Sequence, residues 1–185
     1  MTSQKALSGL RVLDLSRILA GPFCTQILGD LGAEIIKIEK PGEGDDTRTW
    51  GPPFLKNKTG DDTNESAYYL SINRNKQSVA IDIRQAEGQT LIHRLLEKCD
   101  ILIENFKVGG LAKYKLDYSS LKTKYPRLIY CSITGFGQNG PLAQEPGYDF
   151  LAQAMAGLMA STGDKDGVPM KTGVAVSDIL TGLNA

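Results

Sequence analysis

A chain of 185 residues, 41% hydrophobic and 23% charged, can bury one sizeable core, which means one domain or at most two lobes. Its 21 Lys and Arg balance 21 Asp and Glu, so a net charge of zero supplies no general attraction to nucleic acid or an anionic membrane. No run of about 18 apolar residues is present to span a bilayer.

In chain order, residues 1–6 are too short and polar for a secretory leader. Residues 10–15 form an apolar run expected to be a strand covered on both faces. Pro22 suits the first turn of a helix reaching about Leu31, and Gly32 ends it. A strand over 34–39 completes a βαβ unit. Residues 41–64 read as a long loop, partly packed around Trp50 and Phe54. A short helix or turn is expected over 68–73, a strand over 78–83 and an amphipathic helix over 86–97. A strand over 100–104, a helix over 119–125 stopped by Pro126, and a strand over 127–133 follow. After a Gly/Pro-rich loop over 134–147, the pattern predicts a helix over 148–161, a short strand over 172–176 and a helix from Asp178. Strands alternating with helices imply α/β architecture: a doubly wound, Rossmann-like parallel sheet. The last helix is still running at Ala185, so the chain reads as the N-terminal segment of a longer protein.

Three cysteines, Cys24, Cys99 and Cys131, lie in apolar runs without a CxxC pair, as expected of buried thiols in a reducing compartment. The two sequons, at Asn57 and Asn64, read as chance matches in a polar loop. His93 is the sole histidine, which excludes HExxH zinc sites and any multi-imidazole cluster within this chain. Its charged neighbours on the predicted helix suggest a solvated face rather than a catalytic base.

Ligands of such a sheet bind at its carboxyl edge. There, Arg17 could meet a phosphate while Ala20 and Gly21 let a ligand approach the backbone; a tight βα turn with an exposed arginine is the plainer alternative. Residues 135–140 match GxGxxG, yet Pro141 and Pro146 prevent a helix from opening there, so a turn-rich loop fits better than a dinucleotide site. An NAD-dependent oxidoreductase would rest on that match alone. Arg74 and Lys76 precede a strand, and Lys107 and Lys113 follow Asn105 and Phe106; together with Lys40 they are scattered loop cations whose distances a sequence does not supply. Ser177 or Asp178 reads first as an N-cap; alternatively Asp178, kept ionised by the helix field, could attack a thioester carbonyl.

The runs LRVLDLSRILAGPF (10–23) and GDLGAEIIKIEKPG (29–42) resemble the opening of class III, formyl-CoA transferase-like, CoA-transferases. GDDTRTWGPPF (44–54), NRNK (73–76), ENF (104–106) and SITGFGQNGP (132–141) continue the resemblance over nearly the whole chain. It implies a CoA-binding domain in which Arg17, Leu19, Ala20, Lys40, Asn75, Lys76, Asn105, Phe106 and Lys113 contact the nucleotide or pantetheine. In formyl-CoA transferases a histidine stands at the Arg17 position and arginines at those of Lys40 and Lys113, so contact details differ. The aspartate matching Asp178 is that family's nucleophile, acting through an aspartyl anhydride and an aspartyl-CoA thioester. Related α-methylacyl-CoA racemases carry a histidine where this chain has Tyr148, a far weaker base, which favours transfer over racemisation. The 45–54 and 147–149 segments are most similar to members that move CoA from succinyl-CoA to dicarboxylic acids such as glutarate. On that reading Arg48 and Tyr148 face the acid, with internal pairing of Arg48 to Asp45 or Asp46 as the alternative. Acyl-CoA and a small acid are thus the implied substrates, with no permanently bound cofactor and no metal. The complete protein is expected to be a homodimer of interlocked rings, with further oxyanion donors from a second half. Cytoplasm is the expected compartment, or the mitochondrial matrix after processing. A CoA-binding module without turnover is the competing view for a chain of this length.

Overall fold

The computed structural model describes residues 5–185; residues 1–4, part of the stretch judged too short for a leader, lie outside it. Its centre is a five-stranded sheet in the order β5-β2-β1-β6-β7, every adjacent pair parallel. The strands are β1 (Arg11–Asp14), β2 (Glu34–Glu39), β5 (Lys76–Ala80), β6 (Ile101–Glu104) and β7 (Ile129–Ser132). Alternation along the strands builds two cores. Val12, Ile35 and Ile103 face one side, packing with Cys24 and Leu28 of α1 (Ala20–Asp30). Leu13, Ile36, Ile38 and Leu102 face the other, meeting Ile92 and Leu96 of α3 (Ala86–Leu96) and Leu121 of α4 (Tyr118–Leu121). Helices therefore cover both faces, and the sheet is doubly wound as its periodicity implied. Strand order reverses between β1 and β6, so their carboxyl ends bound the crevice where such sheets take ligands.

The helix expected after Ala20 starts there, with Pro22 in its first turn and Gly32 at φ 110 just past its end. Other boundaries differ. The loop over 41–64 contains a 3-10 turn (Asp46–Thr49) and a small antiparallel hairpin of β3 (Phe54–Lys56) and β4 (Asp62–Ser66), leading into α2 (Ala67–Ile72). Polar hairpin residues carry no period-2 apolar signal, so the sequence shows only a loop there. The edge strand β5 begins at Lys76 rather than at residue 78, because pairing with Ile35 and Ile36 of β2, not apolarity, sets its start. The helix expected over 148–161 is shorter: α5 (Asp149–Met155) ends before Gly157, whose φ of 80 turns the chain into a separate 3-10 turn (Leu158–Ser161). No strand forms over 172–176; instead Thr172 donates through its amide and hydroxyl to the buried Gln153 side chain. The final helix, α6 (Val176–Asn184), starts two residues before Asp178.

Candidate active site

The loop leaving β1 has no strand or helix ladder to define it, and four side chains do that work. Asp14 accepts from the Ser16 amide at 2.9 Å, and Lys37 donates to the Ser16 carbonyl at 2.9 Å. Asn105, at the end of β6, brackets Arg17: its Oδ1 accepts from the Arg17 amide (2.9 Å) and its Nδ2 donates to the Arg17 carbonyl (2.7 Å). Asp45 accepts from the Ile18 amide at 3.3 Å. Residues 16–18 are thus tied to β1, β2, β6 and the loop after β2, and Leu19 and Ala20 follow, both nearly buried.

On the other side of α1 lies α6. Gly182 permits their close crossing: a Cβ there would stand 2.5 Å from the Ala20 carbonyl. One turn earlier on α6 is Asp178, which this crossing brings beside Leu19 and Ala20 on the wall of a cleft of about 320 Å³. The N-terminus of α6 is capped neither by Ser177 nor by Asp178. Asp149, the first residue of α5, accepts from the Ser177 amide at 2.8 Å and the Asp178 amide at 3.4 Å, which leaves the Asp178 carboxyl unused as a cap. Burial, and secondarily the Asp149 charge, push the Asp178 carboxyl up to about 6, so its environment opposes ionisation instead of assisting it as a bare helix field would.

Asn105, Phe106, Lys107 and the 133–136 segment form the facing wall. Gly135 and Gly147 cross there so closely that a Cβ on Gly135 would lie 2.3 Å from the Gly147 Cα. This crossing accounts for one glycine of the GxGxxG match, and no helix opens until Asp149. Tyr148 sits on the rim, 66% exposed. Arg17 reaches Asp46 at 2.8 Å and lies 5.9 Å from the Phe106 ring. The cleft therefore gathers Arg17, Leu19, Ala20, Asn105, Phe106, Tyr148 and Asp178.

Five sequence-suggested residues lie off its walls. Lys40 pairs with Glu43 at 2.6 Å, Asn75 bonds Asp30, and Lys113 lies over the Tyr114 ring on an exposed turn. Lys76 is turned inward, 2% exposed, against Asp14, the Pro22 carbonyl and Asn73. Arg48 forms a two-pronged pair with Glu39 (2.7 and 2.9 Å), not with Asp45 or Asp46, and also meets Glu65 and the face of Tyr69. Its fork is already filled. His93 packs half-buried against Tyr125, its Nδ1 3.1 Å from the phenol oxygen, rather than on a solvated face. Residues missed by sequence reasoning are Lys37, Asp45, Asp149 and Gly182. Only Lys37 left a signal, a lone cation inside a strand that reads as covered on both faces. No group of three or more metal-ligating side chains occurs among the described residues.

The model of CoA-transferase family III matches residues 7–185. The chain belongs to that family. Among family III relatives, it is 55% identical over 177 residues to the succinate–glutarate CoA-transferase of Agrobacterium fabrum, covering 96% of this chain and 44% of that protein. To the human succinyl-CoA:glutarate CoA-transferase it is 51% identical over 185 residues, covering 100% of this chain and 41% of the relative. It thus spans about two-fifths of the curated relatives it matches. The crystal structure of a CAIB/BAIF family protein from Brucella suis superposes with a TM-score of 0.92 at 54% identity, covering 98% of this chain and 47% of that one. The Rossmann-like fold read from the family III sequence is thereby shown.

Proposed function

We propose that this chain is the CoA-binding, nucleophile-bearing part of an enzyme that moves CoA from succinyl-CoA to a small dicarboxylic acid. The observation that carries the reading is Asp178: a half-buried carboxyl, free of capping duty, on one cleft with Arg17, Asn105 and Phe106. The names of the relatives support the donor and acceptor class. With its carboxyl near 6, Asp178 is mostly ionised at neutral pH yet more basic than a free aspartate, which suits a nucleophile.

An Asp178 oxygen attacks the thioester carbonyl, the C–S bond breaks, and CoA thiolate leaves a mixed anhydride. The thiolate adds to the aspartyl carbonyl and expels the first acid, leaving an aspartyl-CoA thioester. The incoming carboxylate attacks that thioester and regenerates thiolate, which then takes the new acyl group from the anhydride and frees Asp178. Arg17 and Lys107 are the cations on the cleft for CoA phosphates, and Phe106 offers an apolar face. The amides of Leu19, Ala20 and Gly21, which have no acceptor among the described residues, open α1 beside Asp178 and suit a developing oxyanion. A homodimer with oxyanion donors from a second half completes the proposal.

The test is label transfer from free glutarate into its CoA ester with succinyl-CoA as donor, using the full-length protein. Asp178→Ala should lower turnover by about 10⁴-fold or more while CoA still binds. An Asp178→Ala protein that turns over normally refutes the assignment, and wild type that moves no label refutes the transfer reading.

A further inference from the structure

Beneath the first cleft loop lie two ion pairs that the transfer chemistry does not use. Lys37 Nζ stands 2.9 Å from Asp45 and Lys76 Nζ 3.3 Å from Asp14, with no side chain of the four more than 2% exposed. Buried pairs of this kind add little net stability over apolar residues of the same shape, so their presence calls for another account. Both pairs are spent on backbone. Lys37 donates to the Ser16 carbonyl, Asp45 receives the Ile18 amide, Asp14 receives the Ser16 amide, and Lys76 donates to the Pro22 carbonyl in the first turn of α1.

The backbone so held is strained. Ile18 has φ 70, a left-handed conformation that an L residue disfavours by about tenfold or more, and a β-branched one especially. Nothing local stabilises it: no glycine stands at that position and no helix or strand bond reaches the Ile18 amide, which points at Asp45. Such a conformation persists where surrounding structure over-determines it, typically at a ligand site. Arg17, Ile18 and Leu19 all line the cleft.

We propose that the Lys37–Asp45 pair is a positioning device for CoA-ester binding, clamping residues 16–18 in the left-handed turn that shapes the cleft wall. The proposal rests on reading the cleft as a CoA-ester site. Losing the clamp lets Ile18 relax to ordinary φ, and affinity falls by the fraction of molecules that keep the binding-competent turn, about tenfold.

The experiment replaces both partners together, Lys37→Met with Asp45→Leu, so that neither charge is left buried alone. In the full chain, amide exchange at Ile18 should quicken about tenfold or more while Leu13 and Leu102 in the sheet core keep their protection. The CoA dissociation constant should rise about tenfold by calorimetry. With Ile18→Gly in both backgrounds the loss should shrink to about twofold, since glycine takes positive φ freely. Unchanged exchange at Ile18, or an equal loss of affinity in the glycine background, overturns the clamp. Exchange that quickens equally at Leu13 and Leu102 also overturns it, as a general loss of stability. If the double variant does not fold, Lys37→Gln with Asp45→Ala, which likewise leaves no buried charge alone and removes the acceptor for the Ile18 amide, is read in the same way at Ile18. A wild-type chain that binds no CoA refutes the cleft reading, and the exchange at Ile18 still decides whether the turn is clamped.

Discussion

Asp178 and Asp149 stand together at the start of α6, and only one of them is consumed by the fold. Asp149 accepts from the amides of Ser177 and Asp178 and from the Gln153 side chain at 2.6 Å. Asp178 keeps an unspent charge in a half-buried site, a local cost of the sort functional residues carry. Its carboxyl, ordinarily at 3.8, sits at about 6 in the fold. Below about pH 4 both folded and unfolded chains hold the proton and there is no penalty. Between about 4 and 6 the unfolded chain releases it first, so stability is lost as pH rises through the folded value. Asp178→Asn should therefore stabilise the protein by about 1–2 kcal/mol above pH 6, after allowance for the part of the carboxyl that water still screens. That gain should vanish near pH 4. Urea unfolding at pH 4, 5 and 7 checks it, and a gain independent of pH would contradict the placement. Arg48 illustrates the opposite case: its fork, with burial working the other way, holds Glu39 down at about 2, so it serves the fold.

At the scale of elements, the site depends on how α6 lies on α1. Gly182 is buried at their crossing, and Ala20 belongs both to that contact and to the cleft. Gly182→Ala improves helix propensity slightly but places a methyl 2.5 Å from a backbone oxygen, so the helices must separate. We expect a net loss of about 1–3 kcal/mol in stability. On the role proposed for Asp178, its displacement one turn away should cost roughly a hundredfold in kcat, since about 1 Å of misplacement suffices for that. KM for the CoA ester should change little, because the loop over 16–18 is held from the sheet side. Parallel measurement of Tm, kcat and KM tests this. The end of α5 before Gly157 belongs to the same scale: its positive φ leads into the separate 3-10 turn over Leu158–Ser161, and the chain then runs on to α6, which packs on α1.

Across the whole molecule, the apolar surface is uneven. Tyr148, Phe150, Met155, Val168, Met170, Val174, Leu180 and Leu183 are all more than half exposed, and all lie in the last quarter of the chain. Exposed apolar side chains in this number on a chain without net charge favour self-association. With a pI of about 6.6, the 185-residue chain should associate most near that pH and less at pH 8.5, where added charge repels. Sedimentation at the two pH values checks it. Phe150→Ser with Leu183→Ser should reduce association by half or more, since these residues supply large exposed apolar groups. No helix among the described residues is long and apolar enough to cross a membrane.

The parallel sheet and the helix after β1 were legible because apolar alternation, Pro22 and Gly32 are local signals that neighbouring residues alone determine. Local patterning also placed Arg17, Asn105 and Phe106 on loops at the carboxyl edge, where the structure gathers them. Tertiary structure decided which loop cations reach the cleft, since Lys76 points inward and Lys40 and Lys113 lie off its walls. It decided too that Asp149, 29 residues away, caps α6 and thereby frees Asp178. Distances between residues far apart in sequence carry no local periodicity, and a buried charge reveals its partner only once the strands are side by side.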